Sequence, residues 1–128
     1  CASHIGFDER LAHQILAGSD ILLVPSRFEP CGLTQMYALK YGTVPLARSV
    51  GGLEDTIDEF DPRAGSGTGF KFFPFETNIF LQTAQKALSL YKDRKRWRQL
   101  MLNGMARDFN WSAAAEKYAR LYAALRTG

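Results

Sequence analysis

The chain reads as an α/β protein with a parallel, doubly wound sheet followed by C-terminal helices, and three observations predict it. Short apolar runs of strand length, Ile21-Leu22-Leu23-Val24 and Val44-Pro45-Leu46-Ala47, alternate with segments whose apolar residues recur at helical spacing. Each run leads into a Pro- or Gly-bearing stretch and then a helix, the order that parallel sheets require. At 128 residues, with 46% hydrophobic and 23% charged, the chain is one domain or part of one, with room for a core.

Asp8 can cap a first helix with Leu11, Ile15 and Leu16 on its apolar side and Gly18 at its end. Residues 21–24 follow as a buried strand. A loop then leads to a helix beginning around Leu33, with Leu33, Met36, Tyr37, Lys40 and Tyr41 at helical spacing, stopped by Gly42. After the strand at 44–47, Val50-Gly51-Gly52 forms the next loop. A helix over residues 53–60 is expected, halted by Asp61-Pro62.

Residues 63–69, rich in Gly and Ser, read as a flexible surface loop before a short strand, Phe70-Lys71-Phe72-Phe73, closed by Pro74. Thr77 or Asn78 can start a helix with the stripe Phe80, Ala84, Ala87, Leu88 and Tyr91. Asp93 caps another, with Trp97, Leu100, Met101 and Met105 inside. Ser112 caps the last, which carries Tyr118, Leu121, Tyr122 and Leu125 on one face.

Charge and cysteine usage narrow the function classes. A net charge of +3 suits an anionic ligand but is too small to argue nucleic acid. The basic run over residues 92–98 fits the solvated face of an amphipathic helix better than an RNA-binding patch. Cys1 and Cys31 form neither zinc spacing nor a disulfide framework, which predicts a free thiol at Cys31 in a reducing compartment. His4 and His13 lack ligand-spaced partners, so no metal site is expected. No apolar run approaches the ~20 residues of a membrane span, and no cleavable signal is visible.

Chemistry concentrates in Pro25-Ser26-Arg27-Phe28-Glu29-Pro30-Cys31-Gly32-Leu33-Thr34, a strand-to-helix loop at the end of the sheet where ligands bind. Two prolines stiffen it, Gly32 permits close backbone approach, and the helix start offers unpaired N–H groups to an anion. Glu29 lies within a few residues of that seat. A phosphate seat beside a carboxylate suits a nucleotide-sugar enzyme. Each residue also has a plainer reading: Glu29 as a solvated loop acid, Gly32 to Thr34 as an ordinary helix start, and Cys31 as a small buried hydrophobe.

The run PSRFEPCGLTQMYALKYGTVPLARSVGGLEDTI closely resembles the C-terminal nucleotide-binding domain of bacterial and plastid glycogen/starch synthases. These are retaining glycosyltransferases of the two-domain GT-B architecture, with Rossmann-like domains. The similarity extends to Asp20, to Gly69-Phe70 and to Phe109-Asn110-Trp111-Ser112, and residues 25–53 carry nearly all the specificity. It implies that residues 1–128 are the C-terminal portion of the nucleotide-sugar-binding domain, without the N-terminal acceptor domain. It further implies transfer of glucose from ADP-glucose to the non-reducing end of an α-1,4-glucan, with no cofactor and no divalent metal.

By the same resemblance, Glu29 faces the donor sugar and favours positive charge developing at the anomeric carbon. Cys31, Gly32, Leu33 and Thr34 hold the donor sugar and phosphate, with Tyr37, Gly51 and Gly52 on the nucleotide side. Many related enzymes carry a second Glu where Tyr37 stands, and Thr is usual where Val50 stands. The first difference matches the glycogen/starch synthase branch. The second removes a hydroxyl but leaves the backbone role. Tyr37 also fits core packing, and Gly51-Gly52 a plain tight turn.

The implied partners are a nucleotide sugar and, through the N-terminal domain, an α-glucan. Nucleic acid and membrane are not among them. The implied compartment is the bacterial cytoplasm or the plastid stroma. A related glycosyltransferase with another acceptor and a non-catalytic nucleotide-binding module are the competing readings. A glycosidase would need a second carboxylate about 5–10 Å from Glu29. Only Glu54 and Asp55 are near in sequence, and they follow a different strand. The aromatic group Phe70, Phe72, Phe73 and Phe75 suits strand-end packing better than a glucan-stacking platform.

Overall fold

The computed structural model describes residues 2–126, apart from the side chain of Ala113. Cys1 lies outside the described residues. Elements follow in the order α1 (Glu9–Gly18), β1 (Ile21–Val24), α2 (Thr34–Tyr41), β2 (Val44–Arg48), α3 (Gly52–Thr56), β3 (Phe70–Phe72), α4 (Thr77–Lys92), α5 (Arg94–Met105) and α6 (Trp111–Arg126). The three strands form one parallel sheet in the order β1-β2-β3, with Leu23 opposite Leu46 and Leu46 opposite Phe70.

Alternation along β2 sends its side chains to two covered faces. Val44 and Leu46 join Phe70 and Phe72 of β3, and Ala87, Trp97 and Leu100 of α4 and α5 close over them. Ala47 points the other way, onto Leu53 and Ile57, with Val24 and Val50 against them. Both faces of β2 are therefore apolar, which is why its sequence runs without polar alternation.

Local signals fix most helix ends. Asp8 accepts a hydrogen bond from the Leu11 amide at 2.9 Å, and Asp93 accepts one from the Arg96 amide at 3.1 Å. Gly42 ends α2 in the left-handed region, at φ 80°. Along the basic run, Trp97 is buried while Arg94 stacks on Tyr91 and Arg96 pairs with Asp93, so those charges form an exposed helix face.

Several expectations need correction. β1 is not fully buried: it is an edge strand among the described residues, and Leu23 is exposed. The helix expected over 53–60 stops at Thr56. Ile57 is extended, and Glu59 and Asp61 bridge to Gly69 and Ser66. Ile57 and Phe60 are both buried, a spacing that fits a helix but is satisfied here by extended chain folding back on itself.

Residues 63–69 are tied down rather than loose. Asp61 accepts from the amides of Arg63 and Ala64, and the Asn103 side chain donates to the carbonyls of Gly65 and Gly67 at 2.8 and 2.9 Å. Glu76, not Thr77 or Asn78, is the extended residue before α4, and its side chain makes no capping bond. α6 begins at Trp111, so Ser112 lies inside its first turn and not at its cap. Leu88, Met105 and the α6 face of Tyr118, Leu121, Tyr122 and Leu125 are exposed. Among the described residues no helix is long and apolar enough to cross a membrane.

Candidate functional site: two loops locked backbone to backbone

A parallel sheet brings all its strand-to-helix loops to one edge. Here that edge collects residues 25–33 after β1, 49–51 after β2 and 73–76 after β3. The first two are in direct backbone contact. The Gly52 amide donates to the Glu29 carbonyl at 3.3 Å. A Cβ on Gly51 would overlap the Glu29 carbonyl oxygen, and one on Gly52 would overlap that of Cys31. Gly51 also sits at φ 48°, where side-chain-bearing residues are strained. These glycines are required by close approach as well as by the turn.

Within the first loop, Gly32 adopts φ 70° and turns the chain into α2. The first bond of that helix runs from the Tyr37 amide to the Leu33 carbonyl at 3.0 Å. The amides of Thr34, Gln35 and Met36 therefore have no carbonyl one turn earlier in the helix, and no side chain caps them. Unpaired donors at a helix start favour an anion. Thr34 and Leu33 are exposed there, and Glu29 is half-buried beside them on the same loop. No protein group hydrogen-bonds the Glu29 carboxylate among the described residues. Cys31 is an exposed free thiol, which removes its reading as a buried hydrophobe.

Three residues that sequence reasoning passed over hold this arrangement. Gln35 is buried, and its amide nitrogen shares two protons among three acceptors, the carbonyls of Cys31 and Gly32 and the Thr56 hydroxyl, at 3.0, 2.9 and 3.1 Å. Thr56 in turn donates to the Gly52 carbonyl at 2.5 Å. Arg48, the last residue of β2, donates to the Arg27 carbonyl at 2.5 Å while its guanidinium lies 5.0 Å from the Phe75 ring centre. Its Nε is buried without a hydrogen-bond partner among the described residues. Arg27 approaches the same ring at 5.6 Å. A signal for Gln35 did exist: it shares a helix face with buried Ala38 and Leu39, and a polar residue there must find partners.

The remaining candidates separate. The Tyr37 ring packs on His13 of α1, with ring centres 5.0 Å apart, and remains partly exposed. His13 also shares a hydrogen bond with the Tyr41 hydroxyl at 3.1 Å. Glu54 is engaged: the Lys71 ammonium, at 2.8 Å, and the Ser49 hydroxyl both bond its carboxylate. The Lys71 bond first and the Ser49 bond second hold its pKa below the ordinary carboxylate range. That favours a fixed anion over an acid that gives up a proton. Of the four phenylalanines near β3, Phe70 and Phe72 are core, whereas Phe73 and Phe75 are exposed, so only two follow the packing expectation. Among the described residues, no three His, Cys, Asp or Glu side chains converge as metal ligands would.

The chain is 54% identical over 121 residues to the glycogen synthase of Koribacter versatilis, a match covering 94% of this chain and 25% of that protein. It is 53% identical over 124 residues to the glycogen synthase of an Anaeromyxobacter species, covering 97% of this chain and 26% of that one. The chain thus spans about a quarter of the length of the curated relatives it matches. Among solved structures, the catalytic domain of starch synthase IV from Arabidopsis thaliana, bound to ADP and acarbose, superposes with a TM-score of 0.81. That match has 38% identity and covers 93% of this chain and 25% of the other. The sucrose-phosphate synthase of Thermosynechococcus elongatus superposes at 0.67, with 31% identity, over 94% of this chain and 29% of that one. Residues 3–100 match the model of the glycosyl transferases group 1 family, and the chain belongs to that family.

Proposed function

We propose that this chain forms the donor-binding part of a retaining glucosyltransferase of the glycogen/starch synthase type. In this reading it takes glucose from ADP-glucose for transfer to the non-reducing end of an α-1,4-glucan. The observation that carries the reading is the pairing of an unengaged, half-buried carboxylate, Glu29, with the unpaired amides opening α2 on one braced loop. The names of the relatives support the activity, and the ADP in the starch synthase structure supports the nucleotide.

The chemistry follows from charge. As the glycosidic bond to the diphosphate breaks, negative charge grows on the distal phosphate and positive charge on the anomeric carbon. The amides of Gly32, Leu33 and Thr34 and the Thr34 hydroxyl would stabilise the first, and the Glu29 carboxylate the second. Both act on charge that appears fully only in the transition state, so they lower the barrier more than they tighten binding. Gly51 and Gly52 contribute by letting the second loop brace the first. The acceptor glucan would bind to the GT-B N-terminal domain, and residues 1–128 alone would not transfer glucose, since half a cleft neither excludes water nor aligns an acceptor.

The test is glucose incorporation into glycogen by the full-length protein, wild type against Glu29→Gln, with ADP-glucose and UDP-glucose. The expected result is a loss of about 100-fold or more in kcat with ADP affinity nearly unchanged. Near-normal turnover in the variant would return Glu29 to a solvated loop acid. The sucrose-phosphate synthase likeness favours one second reading, a related transferase with a different acceptor. Turnover of the nucleotide sugar only when a non-glucan acceptor is supplied would select it.

A further inference from the structure

We propose that Gln35 is a positioning residue for the transfer site: it holds the donor loop in the conformation that presents the amides opening α2. The inference rests on the glucosyltransferase reading above. The Gln35 side chain is 1% exposed, and a buried amide must spend its donors on fixed partners. Its nitrogen lies within hydrogen-bond distance of two adjacent carbonyls, Cys31 and Gly32, and of the Thr56 hydroxyl. Flipping the amide would set its oxygen against those two carbonyl oxygens, so only one orientation satisfies the network.

The direction of the chain of bonds is fixed as well. Thr56 gives its single proton to the Gly52 carbonyl, which leaves its oxygen to accept from Gln35. Gln35 therefore links the loop after β1 to α3, the helix that starts at the two close-packed glycines. Holding the Cys31 and Gly32 carbonyls on the Gln35 side fixes the peptide planes that carry the Gly32 and Leu33 amides and so sets the entry into α2. Among the described residues no other hydrogen bond reaches those two carbonyls. The Gln35 side chain is buried and acts on the site through the carbonyls that it holds.

The test uses the full-length protein with ADP-glucose and glycogen, comparing Gln35→Leu, Gln35→Glu, Thr56→Val and, as a control, Thr43→Val. Thr43 is also buried, and its hydroxyl also bonds backbone carbonyls, those of Leu16 in the last turn of α1 and of Ser19 just after it, at the opposite end of the strands. Gln35→Leu is expected to lower kcat by about 10- to 100-fold with KM changed less than about threefold. Thr43→Val should lower the melting temperature comparably while leaving kcat within about twofold. Gln35→Leu combined with Thr56→Val should cost less than the product of the two single losses, because both break one linkage. Gln35→Glu should regain activity as pH falls, since only the protonated carboxyl can donate to a carbonyl. A kcat loss in Gln35→Leu no greater than in Thr43→Val would overturn the proposal and leave the glucosyltransferase reading standing. Absence of transfer by the wild-type enzyme would overturn both.

Discussion

Two glycine-rich stretches, Val50-Gly51-Gly52 and Gly65-Ser66-Gly67-Thr68-Gly69, look alike as sequence and serve different ends in the fold. In both, a glycine permits backbone to touch backbone. A Cβ on Gly51 or Gly52 would strike the carbonyls of Glu29 and Cys31, and one on Gly67 would strike Glu59 and Phe60. The first contact joins two loops at the ligand edge of the sheet. The second closes residues 57–69 into a folded-back segment whose Thr68 hydroxyl accepts from the Asp58 amide and whose tip is held by Asn103. Close approach at the carboxyl ends of parallel strands shapes a site, whereas the same contact elsewhere shapes the core.

The sharpest way to break that comparison is to add a methyl group on each side of it. Gly52→Ala meets backbone atoms of Cys31 in its Cα, C and O, none of which can rotate away. It should cost on the order of 3 kcal/mol of stability and lower transfer about 100-fold or more, because the donor loop must shift. Urea midpoints and kcat on the same preparation check both parts. Retained kcat in a folded Gly52→Ala enzyme would show that the loop contact does not shape the site.

Gly67→Ala should be nearly as damaging to the fold and nearly silent in catalysis. Its φ of 94° and the blocking backbone of Glu59 and Phe60 suggest a cost of about 2–3 kcal/mol. Asn103→Ala removes two hydrogen bonds to the same segment and should cost about 1–2 kcal/mol. Neither should change kcat at saturating donor by more than about twofold, measured well below the unfolding midpoint. A tenfold kcat loss in either would erase the distinction between the stretches.

What the sequence made legible was mostly local. Asp8, Asp93 and Gly42 each announce a helix end through a bond or a dihedral within a few residues. The placement of Glu29, Gly32 and Thr34 on one strand-to-helix loop was legible because strand, loop and helix follow one another along the chain. Residues 57–60 were misread because Ile57 and Phe60 suit a helix face equally well, and the choice is made by Gly69 and Ser66, up to ten residues away. Arg48 was missed for the same reason: its partners, Arg27 and Phe75, lie more than 20 residues along the chain. Gln35 bonds Thr56 at a similar distance along the chain, but the two carbonyls it holds are local, and its place on a buried helix face was the signal passed over. The apolar stripe of α6 was plain from its spacing, but spacing cannot say whether a neighbour covers it, and here the stripe is exposed.

The smallest expected effect separates the two regions through their ion pairs. Lys71 and Glu54 flank the site loops at 2.8 Å, and Arg107 and Asp58 flank the folded-back segment at 2.6 Å. Both carboxylates are about half exposed, which limits either pair to roughly 1 kcal/mol or less. Lys71 is the more enclosed cation, so losing its partner leaves a charge that water reaches poorly. Glu54→Gln should therefore cost about 0.5–1 kcal/mol at neutral pH and low salt, and Asp58→Asn less. Because the folded pKa of Glu54 is lowered, its contribution is full above the ordinary carboxylate range and disappears as pH falls through that folded value. The urea midpoints of wild type and Glu54→Gln should differ at pH 7 and converge on acidification. A constant gap across that range would mean that the difference does not come from the ionised carboxylate, and that the charge on the site's flank contributes nothing to the fold.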